Sequence, residues 1–349
     1  MKSRWEKVKL GSVIELVYGK PLPEDYRKRD GLYPVYGANG EIARTDQFYY
    51  DEESIIVGRK GSAGEINLTE KRFWPLDVTY YVAFDHNKYD LMFLYYLLEV
   101  QELPKMAKGV KPGINRNEVY DLDVNIPDLP EQQRIVAILD QVIGAIETAK
   151  TNTEKNLKNI VELFEIYLQG ISAEKASLRD LVEIKTGKLD ANAAKPDGKY
   201  PFFTCAREVY SIDKYAFDCE AILLAGNNAV GDFNVKHYMG KFNAYQRTYV
   251  ITVNQDNKVL YRYLYFQLLD KLKEFKVQAV GAGTKFLKLG MIQDMEIPLP
   301  SLEDQVEIVA KLDILESVTK KLGDLYRQKL FGLEDLKKSI LQKAFNGEL

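Results

Sequence analysis

The 349-residue chain has few of the residues from which disulfide frameworks and metal centres are built. Its only cysteines are Cys205 and Cys219, and its only histidines are His86 and His237. Two cysteines are too few for a disulfide framework or a four-cysteine zinc site. Two histidines also argue against a histidine-rich catalytic metal centre. We therefore expect no metal site in this chain.

Long apolar runs and nucleotide-binding motifs are also missing. No run could span a bilayer, and the first six residues lack the apolar stretch of a signal peptide, so we expect a cytoplasmic protein without a membrane partner. Gly19-Lys20 and Gly187-Lys188 lack the spacing of a phosphate-binding loop. No Asn-Pro-Pro-aromatic methyltransferase motif occurs. Glu183 and Lys185 could belong to a nuclease triad, but no acid precedes them in the required context, and we expect no catalytic residue.

Basic residues are concentrated locally, although the net charge of −3 at first counts against a nucleic-acid partner. Residues 105–117 contain four bases and no acid, and residues 271–288 contain five lysines and one acid. Segments 131–169 and 303–349 together carry 15 acids and 12 bases, which accounts for the whole net charge. The remainder is balanced, so phosphate contacts would have to come from local basic loops.

The chain is a tandem repeat. Seven short segments recur in the same order, with an offset that drifts only from 167 to 173 residues. The matching pairs begin at Leu10 and Leu178, Tyr33 and Tyr200, Asp51 and Asp218, Thr79 and Thr248, Leu94 and Leu264, Ile126 and Ile297, and Ile135 and Ile308. This period is too long for a solenoid and predicts two copies of one domain, each followed by a helix.

Within each copy, short segments rich in β-branched and aromatic residues predict strands, and amphipathic segments predict helices. The predicted strands are Ser54–Val57, Thr79–Phe84, Ala221–Ala225 and Arg247–Val253, and the predicted helices are Leu91–Leu103 and Leu260–Phe275. Each globular part is therefore expected to be α+β.

Each copy ends in a proline-marked stop and a long helix, over 131–169 and 303–349, because prolines favour the positions just before a helix. Apolar residues then alternate in steps of three and four, which is typical of a coiled-coil seam. The predicted seam residues are Ile135, Leu139, Val142, Ile146, Ala149, Leu157, Ile160, Phe164 and Tyr167, then Ile308, Leu312, Leu315, Val318, Leu322, Tyr326, Leu333, Leu336 and Ile340. Asn152, Thr153 and Asn156 interrupt the first seam.

Three motifs resemble those of the specificity subunits of type I restriction–modification systems. The first is a proline-bounded strand end before a Glu-Gln helix start, at Ile126–Gln133 and again at Ile297–Gln305. The second is the helix ending Ala344-Phe-Asn-Gly-Glu-Leu, and the third is a glycine-containing turn, at Gly109–Asn115 and at Gly281–Leu287. The resemblance spans essentially the full chain. The first long helix departs from the pattern, because it ends in Leu168-Gln169-Gly170.

The resemblance implies an α+β protein with two tandem target-recognition domains of mixed strands and helices. These would be joined by two long helices that form an antiparallel coiled coil, with pseudo-two-fold symmetry. The implied boundaries are 1–130 for the first recognition domain, 131–172 for the central long helix, 173–302 for the second recognition domain and 303–349 for the C-terminal long helix.

The implied function is to read a bipartite target in double-stranded DNA, one half-site per domain, with the coiled coil as spacer. The chain would not be an enzyme. Two modification (methyltransferase) subunits and the restriction (motor–nuclease) subunits would bind it, and S-adenosylmethionine, ATP and Mg²⁺ would belong to those partners. The alternatives are a non-catalytic coiled-coil scaffold that binds proteins or carbohydrates, and a nuclease.

Two loops that follow predicted strands are candidates for reading bases. In the first copy, Arg59, Lys60 and Ser62 lie in a basic glycine-rich loop, and arginine and lysine can bind guanine in the major groove. In the second copy, Asn227 and Asn228 offer amides, which suit adenine. The alternative for both loops is a solvated turn, because glycine and asparagine favour turns.

The remaining candidates are basic or polar residues near the glycine turns. Lys108, Lys111, Asn115 and Arg116 in the first copy, with Lys285 and Lys288 in the second, are predicted to hold phosphates. Arg247, before a strand of the second copy, is predicted either to contact a base or to form a surface ion pair. For the lysines, the alternative is a solvated charged face.

Overall fold

A computed structural model describes residues 5–256 and 258–349. The chain forms two compact units. The first unit combines the residues up to Thr153 with Gln328–Leu349, and the second unit is Glu154–Arg327. Among the described residues, no helix is both long and apolar enough to cross a membrane.

The first unit packs three small sheets with helices, and its sheets are ordered β2-β8-β5-β6, β4-β3-β7 and β1-β9. Its strands are β1 (Glu6–Lys9), β2 (Glu15–Tyr18), β3 (Tyr33–Gly37), β4 (Gly40–Thr45), β5 (Ile55–Gly58), β6 (Ile66–Leu68), β7 (Trp74–Pro75), β8 (Thr79–Ala83) and β9 (Asp123–Ile126). Its shorter helices are α1 (Leu91–Val100) and α2 (Arg116–Tyr120). Leu16, Val57, Phe93 and Leu94 are fully buried in its main core.

The second unit is built around one six-stranded sheet, ordered β11-β17-β14-β16-β12-β13. Its strands are β10 (Lys175–Ser177), β11 (Val182–Thr186), β12 (Tyr200–Phe203), β13 (Tyr210–Ile212), β14 (Phe217–Ala225), β15 (Asn227–Asn228), β16 (Val235–Ala244), β17 (Thr248–Val253), β18 (Lys285–Phe286) and β19 (Glu296–Pro298). Its shorter helices are α4 (Leu178–Leu181), α5 (Tyr261–Gln278) and α6 (Leu289–Gln293). The sheet is continuous because β14 and β16 are long and β16 also pairs with β12.

The same pairing recurs in both units, which agrees with the sequence repeat. β2 pairs antiparallel with β8, so that Tyr18 lies opposite Tyr80. β11 pairs antiparallel with β17, so that Thr186 lies opposite Tyr249. Both globular parts mix strands and helices, and the α+β prediction is confirmed.

The two long helices, α3 (Leu129–Gln169) and α7 (Leu302–Phe345), run antiparallel where they pack together. In the first unit, Lys150 forms an ion pair with Glu334, and the earlier Leu139 shares a core with the later Leu341. In the second unit, Leu168 of α3 packs with Leu312 of α7. Residues late in one helix therefore contact residues early in the other, and the antiparallel coiled coil is confirmed.

The predicted seam needs correction at several positions. Ile143, one residue beyond the predicted Val142, is the more buried of the two. Val318 and Leu336, which we expected in the seam, are 44% and 46% exposed. Of the three polar residues predicted to interrupt the first seam, only Thr153 is buried, while Asn152 and Asn156 are exposed. An α-helix drifts relative to a strict 3.5-residue repeat, so a pattern extended over eleven turns predicts the wrong face at some positions.

A buried glutamine anchors the start of each long helix. Nε2 of Gln132 donates to the carbonyl oxygens of Lys88 (3.1 Å) and Pro127 (2.9 Å), and Oε1 accepts from the N–H of Asp90 (2.9 Å). Both Gln132 and its counterpart Gln305 are fully buried. The glutamine of the Glu-Gln helix start thus joins α3 to the loop before α1 and to the proline-marked strand end.

Gln305 repeats this arrangement in the second unit. Its Nε2 donates to the carbonyl oxygens of Lys258 and Pro300, both at 3.0 Å, and its Oε1 accepts from the N–H of Leu260 (2.9 Å). An amide is suited to this position because it offers donors and an acceptor together.

Candidate nucleic-acid interface

In the first unit, the two loops that carry the predicted contacts lie side by side. The N–H of Ile114 donates to the carbonyl of Arg59, and the N–H of Gly61 donates to the carbonyl of Pro112, each at 3.1 Å. Gly64 has a positive φ of 86° and lies against the backbone of Leu103 and Pro104, where a side chain would not fit. The structure therefore brings the predicted residues 59–62 and 108–116 to one surface.

Tyr18 lies between the arginines of these two loops. The guanidinium carbons of Arg59 and Arg116 lie 5.2 and 5.0 Å from the centre of its ring, within cation–π range. The Tyr18 side chain is 44% exposed and packs on Tyr80, with 5.0 Å between ring centres. Burial, assisted by a hydrogen bond with Tyr18, raises the pKa of Tyr80 to about 12, so the Tyr80 phenol is neutral at physiological pH. The sequence does not predict a role for Tyr18, because a single aromatic residue at a strand end forms no motif.

The lysines of the first unit differ in their ion pairs. Lys108 donates to Glu118 at 2.8 Å, so part of its charge is offset. Lys60 and Lys111 are exposed and form no ion pair among the described residues. Oδ1 of Asn115 caps α2 by accepting from the N–H of Asn117 (3.0 Å), so that the side-chain amide nitrogen is the group left to donate to a ligand.

Ser62 is the remaining candidate of the first unit, and it is half-buried. Its carbonyl accepts from the N–H of Glu65 at 3.3 Å, within the turn that reverses the loop. The structure gives its side chain no hydrogen-bond partner within the described residues, and its contact with DNA stays a prediction.

The second unit brings its predicted residues together through a short ladder. Asn227 pairs with Phe286, and Asn228 pairs with Lys285. The guanidinium carbon of Arg247 lies 5.0 Å from the centre of the Phe286 ring. The backbone carbonyl of Arg247 accepts from the N–H of Gly226 (2.9 Å). Arg247 forms no ion pair among the described residues. Lys288 is exposed, at the start of α6.

The two asparagines of the second unit have different roles. Oδ1 of Asn228 accepts from the N–H groups of Val230 (2.9 Å) and Asp232 (3.0 Å), so its acceptor is committed to the turn. Arg207 donates to Asp232 at 2.6 Å and lowers the pKa of that carboxyl group. Asn227 has no side-chain hydrogen bond within the described residues, so both its amide nitrogen and its oxygen are free for a ligand.

A cavity of about 860 Å³ lies in the second unit, next to this surface. Its lining includes Thr186, Lys188, Lys214, Tyr215, Tyr249 and Leu289, and it contains no carboxylate. Lys185, which also lines it, forms an exposed ion pair with Glu183 at 3.1 Å. Within the described residues, no group of three or more histidine, cysteine or acidic side chains is arranged to hold a metal ion. Glu183 and Lys185 are therefore placed as a surface ion pair on a strand.

Comparison with protein families matches the chain twice to one domain, described as the type I restriction modification DNA specificity domain. The matches cover residues 2–159 and 172–325, so that each half of the sequence contains one copy of the domain.

Individual relatives have related names. The chain is 42% identical over 172 residues to the type I restriction enzyme EcoDI specificity subunit of Escherichia coli, a match that covers 49% of this chain but 37% of that protein. It is 22% identical to the MjaVIII specificity subunit of Methanocaldococcus jannaschii, over 99% of this chain and 93% of that protein.

Solved structures share the fold. A chain from a study of complex assembly and conformational transition of the type I restriction–modification system aligns over 100% of both chains, with 18% identity and a TM-score of 0.74. The HsdS subunit of Thermoanaerobacter tengcongensis aligns with a TM-score of 0.53 and 17% identity, over 99% of this chain and 97% of that one. With two domain matches and the same architecture, the chain belongs to the family of type I restriction–modification specificity subunits.

Proposed function

We propose that this specificity subunit binds a bipartite target in double-stranded DNA and that each unit reads one half-site. The observation that carries the proposal is the convergence, in each unit, of a post-strand loop and a glycine-containing loop on one surface. In the first unit this surface presents Arg59, Lys60 and Lys111. In the second unit it presents Asn227 and Arg247.

The chemistry of these side chains supports unlike half-sites. Arginine offers two parallel donors that match the O6 and N7 acceptors of guanine, while a free asparagine amide matches the N6 and N7 of adenine. Lys111 and Lys60 are flexible point charges, which suit phosphates rather than base edges. The first unit therefore favours a guanine-containing half-site, and Asn227 of the second unit favours adenine.

Binding measurements with the assembled methyltransferase test this proposal. We expect the complex to bind a duplex with its bipartite site much more tightly than a random duplex of equal length and charge, because base contacts add to the phosphate term. Equal affinities for the two duplexes at the same salt concentration would reject sequence recognition.

We infer that two modification subunits dock on apolar side chains that the long helices leave exposed. In the second unit, Leu163, Ile166, Ile314 and Val318 line an open groove of about 480 Å³ and are 44–66% exposed. In the first unit, Phe331 is 70% exposed. Contiguous exposed apolar residues mark protein interaction sites, and a modification subunit is the partner that membership in this family requires.

Charge substitution in the groove tests the docking site. Ile166→Asp and Ile314→Asp should each remove the modification subunit that docks on the second unit and leave one modification subunit per chain, because a carboxylate would lose its water on docking. Lys320→Ala, on the exposed surface of the same helix, is the control and should keep two modification subunits per chain. Normal assembly of both aspartate variants would show that the partner docks elsewhere.

The chemistry of modification and restriction is assigned to the partners. S-adenosylmethionine, ATP and Mg²⁺ would act in the modification and restriction subunits. The complex would act in the cytoplasm, where it meets DNA. The chain alone, incubated with DNA and a divalent metal, should cut nothing. Robust cleavage by the purified chain would overturn this non-catalytic assignment.

We also propose that the paired helices set the gap between half-sites. A helix of α3's length spans roughly 60 Å at about 1.5 Å per residue, and a stiff spacer can match only one separation and helical phase on DNA. Adding one heptad to both helices should change the preferred gap and leave the half-sites unchanged. A constant gap in the methylated sites would contradict the spacer role.

A further inference from the structure

Three positions correspond between the two units but hold different side chains. Tyr18 and Thr186 each end the first strand of their sheet, and each lies opposite a tyrosine of the partner strand. Arg59 and Asn227 each follow the glycine at the end of the central strand, as residues after Gly58 and Gly226. Arg116 and Leu289 are each the first residue of a short helix. A similar backbone contact occurs in both units, displaced by one residue: the N–H of Ile114 donates to the carbonyl of Arg59, and the N–H of Leu287 donates to the carbonyl of Gly226.

In the first unit, the three side chains form a cationic cluster without a counter-ion. Both guanidiniums lie on the Tyr18 ring, and neither forms an ion pair within residues 5–256 and 258–349. The Nε of Arg59 is buried and has no hydrogen-bond acceptor. Two like charges on one ring repel each other, and a buried donor without an acceptor is costly. A ligand that brings several acceptors would relieve both costs.

In the second unit, two of the three corresponding positions line open space. Thr186 and Leu289 line the cavity of about 860 Å³, and Tyr249 forms another part of its wall. Threonine and leucine carry no charge, and Asn227 is a neutral amide. The positive groups at this cavity are Lys185, on β11 and paired with Glu183, and Lys188 and Lys214, on loops. The two units thus present chemically different surfaces at the same place in the fold.

We propose that these three positions determine specificity, and that Tyr18 is a positioning residue that holds Arg59 and Arg116 together for a guanine and its neighbouring phosphate in the first half-site. This inference rests on the proposed DNA-reading function and deepens it. Arg59 would donate to O6 and N7 of the guanine, and Arg116, on the adjoining helix start, would donate to the phosphate. The second unit lacks this pair and reads its half-site by other contacts.

The ring contributes by ordering the arginines before DNA arrives. Arginine has many side-chain conformations, and fixing them on binding costs affinity. A flat ring that both guanidiniums contact restricts this freedom in the free protein. Tyr18 therefore acts through Arg59 and Arg116, and its loss should reduce discrimination between bases more than it reduces affinity for random DNA.

Substitutions that copy one unit into the other test the proposal in the assembled methyltransferase. Tyr18→Thr introduces the second unit's residue, while Tyr18→Phe keeps the ring and is the matched control. We expect Tyr18→Thr to reduce discrimination roughly tenfold at one guanine of a single half-site, as for the loss of one well-formed bidentate contact. Tyr18→Phe should keep the wild-type preference. Affinities for every single-base variant of the site, with methylated sites read by sequencing, provide the measurement.

Two further variants protect the test against a folding defect. Arg59→Asn and Arg116→Leu also copy the second unit but leave the Tyr18–Tyr80 packing in place. Arg59→Asn should change the preferred base at the same position as Tyr18→Thr, and Arg116→Leu should weaken binding to all sequences. Asn227→Ala should change only the other half-site, which identifies the half-site read by each unit.

The outcomes separate this inference from the function on which it rests. A wild-type complex without preference for any bipartite site would reject DNA reading itself. A specific wild-type complex whose half-site discrimination survives Tyr18→Thr and Arg59→Asn would reject the specificity positions alone. Equal losses at both half-sites would also reject them.

Discussion

The buried glutamine at the start of α3 provides the sharpest stability prediction. Gln132→Ala removes one donor group and one acceptor that together serve three backbone groups, those of Lys88, Asp90 and Pro127. Its neighbour Gln133 is exposed in the same helical turn and has the same chemistry. Gln133→Ala therefore serves as a matched control that changes the same side chain at a solvated position.

The expected loss follows from the burial of each partner. The bond to the carbonyl of Pro127 is buried, and leaving that carbonyl unsatisfied costs about 1 to 3 kcal/mol. The bonds to Lys88 and Asp90 are part-buried, so water can replace the lost group and each costs about 1 kcal/mol. We expect Gln132→Ala to lower the free energy of unfolding by roughly 3 to 5 kcal/mol, and Gln133→Ala to change it by less than about 0.5 kcal/mol.

Thermal and urea unfolding of the purified chain measure these values. For units of this size, a loss of 1 kcal/mol lowers the melting temperature by about 2 to 4 °C. Gln132→Ala should therefore lower the melting temperature of the first unit by about 10 °C. Gln305→Ala should lower the melting temperature of the second unit by less, because all three hydrogen bonds of Gln305 are part-buried. If Gln132→Ala and Gln133→Ala melted within 2 °C of each other, the anchoring role of the buried amide would be refuted.

Three further predictions concern charge, packing and pH. Lys111→Ala should weaken binding evenly across DNA sequences and flatten the slope of log K against log salt by about 0.9, whereas Lys108→Ala, whose charge Glu118 offsets, should flatten it less; titrations from 50 to 200 mM salt check both. Leu312→Ala should destabilise the second unit by about 2 to 5 kcal/mol in urea unfolding, because this side chain is fully buried. Burial raises the pKa of Asp270, so the folded state binds its proton more tightly than the unfolded state, and stability is lost as pH rises through the raised pKa. Asp270→Asn should remove that loss and be more stable than wild type at pH 7; an unchanged pH profile of unfolding would contradict this.

The architecture was predictable because it depends on long, repeated patterns. The tandem repeat and the proline-marked starts of α3 and α7 identify two similar units and two long helices, with starts displaced by only two residues and one residue. The antiparallel pairing followed from the family resemblance. The seam residues were less predictable, because small errors in the assumed helical phase accumulate along the helix. Val318 and Leu336, which were predicted in the seam, are therefore found on the surface.

The candidate site was only partly predictable from the sequence. Glycine loops and basic residues marked the correct loops, but Asn115 and Asn228 use their acceptors to cap a helix and close a turn. An asparagine side chain can bind a ligand or a backbone N–H group of its own turn, and the sequence alone does not decide between these roles. Tyr18 was not predictable at all, because its position between two arginines depends on strand register and on where α2 begins.

The far end of α7 has a consequence for synthesis on the ribosome. Leu341, Ala344 and Phe345 are buried in the core of the first unit, where Phe345 lies 5.1 Å from Phe93 between ring centres. Domains usually fold in the order in which they are made, but this amino-terminal unit cannot close its core until those last side chains have emerged. Nascent chains should therefore carry an open apolar surface through the whole translation of the second unit, and they would need a chaperone or an early partner to shield it.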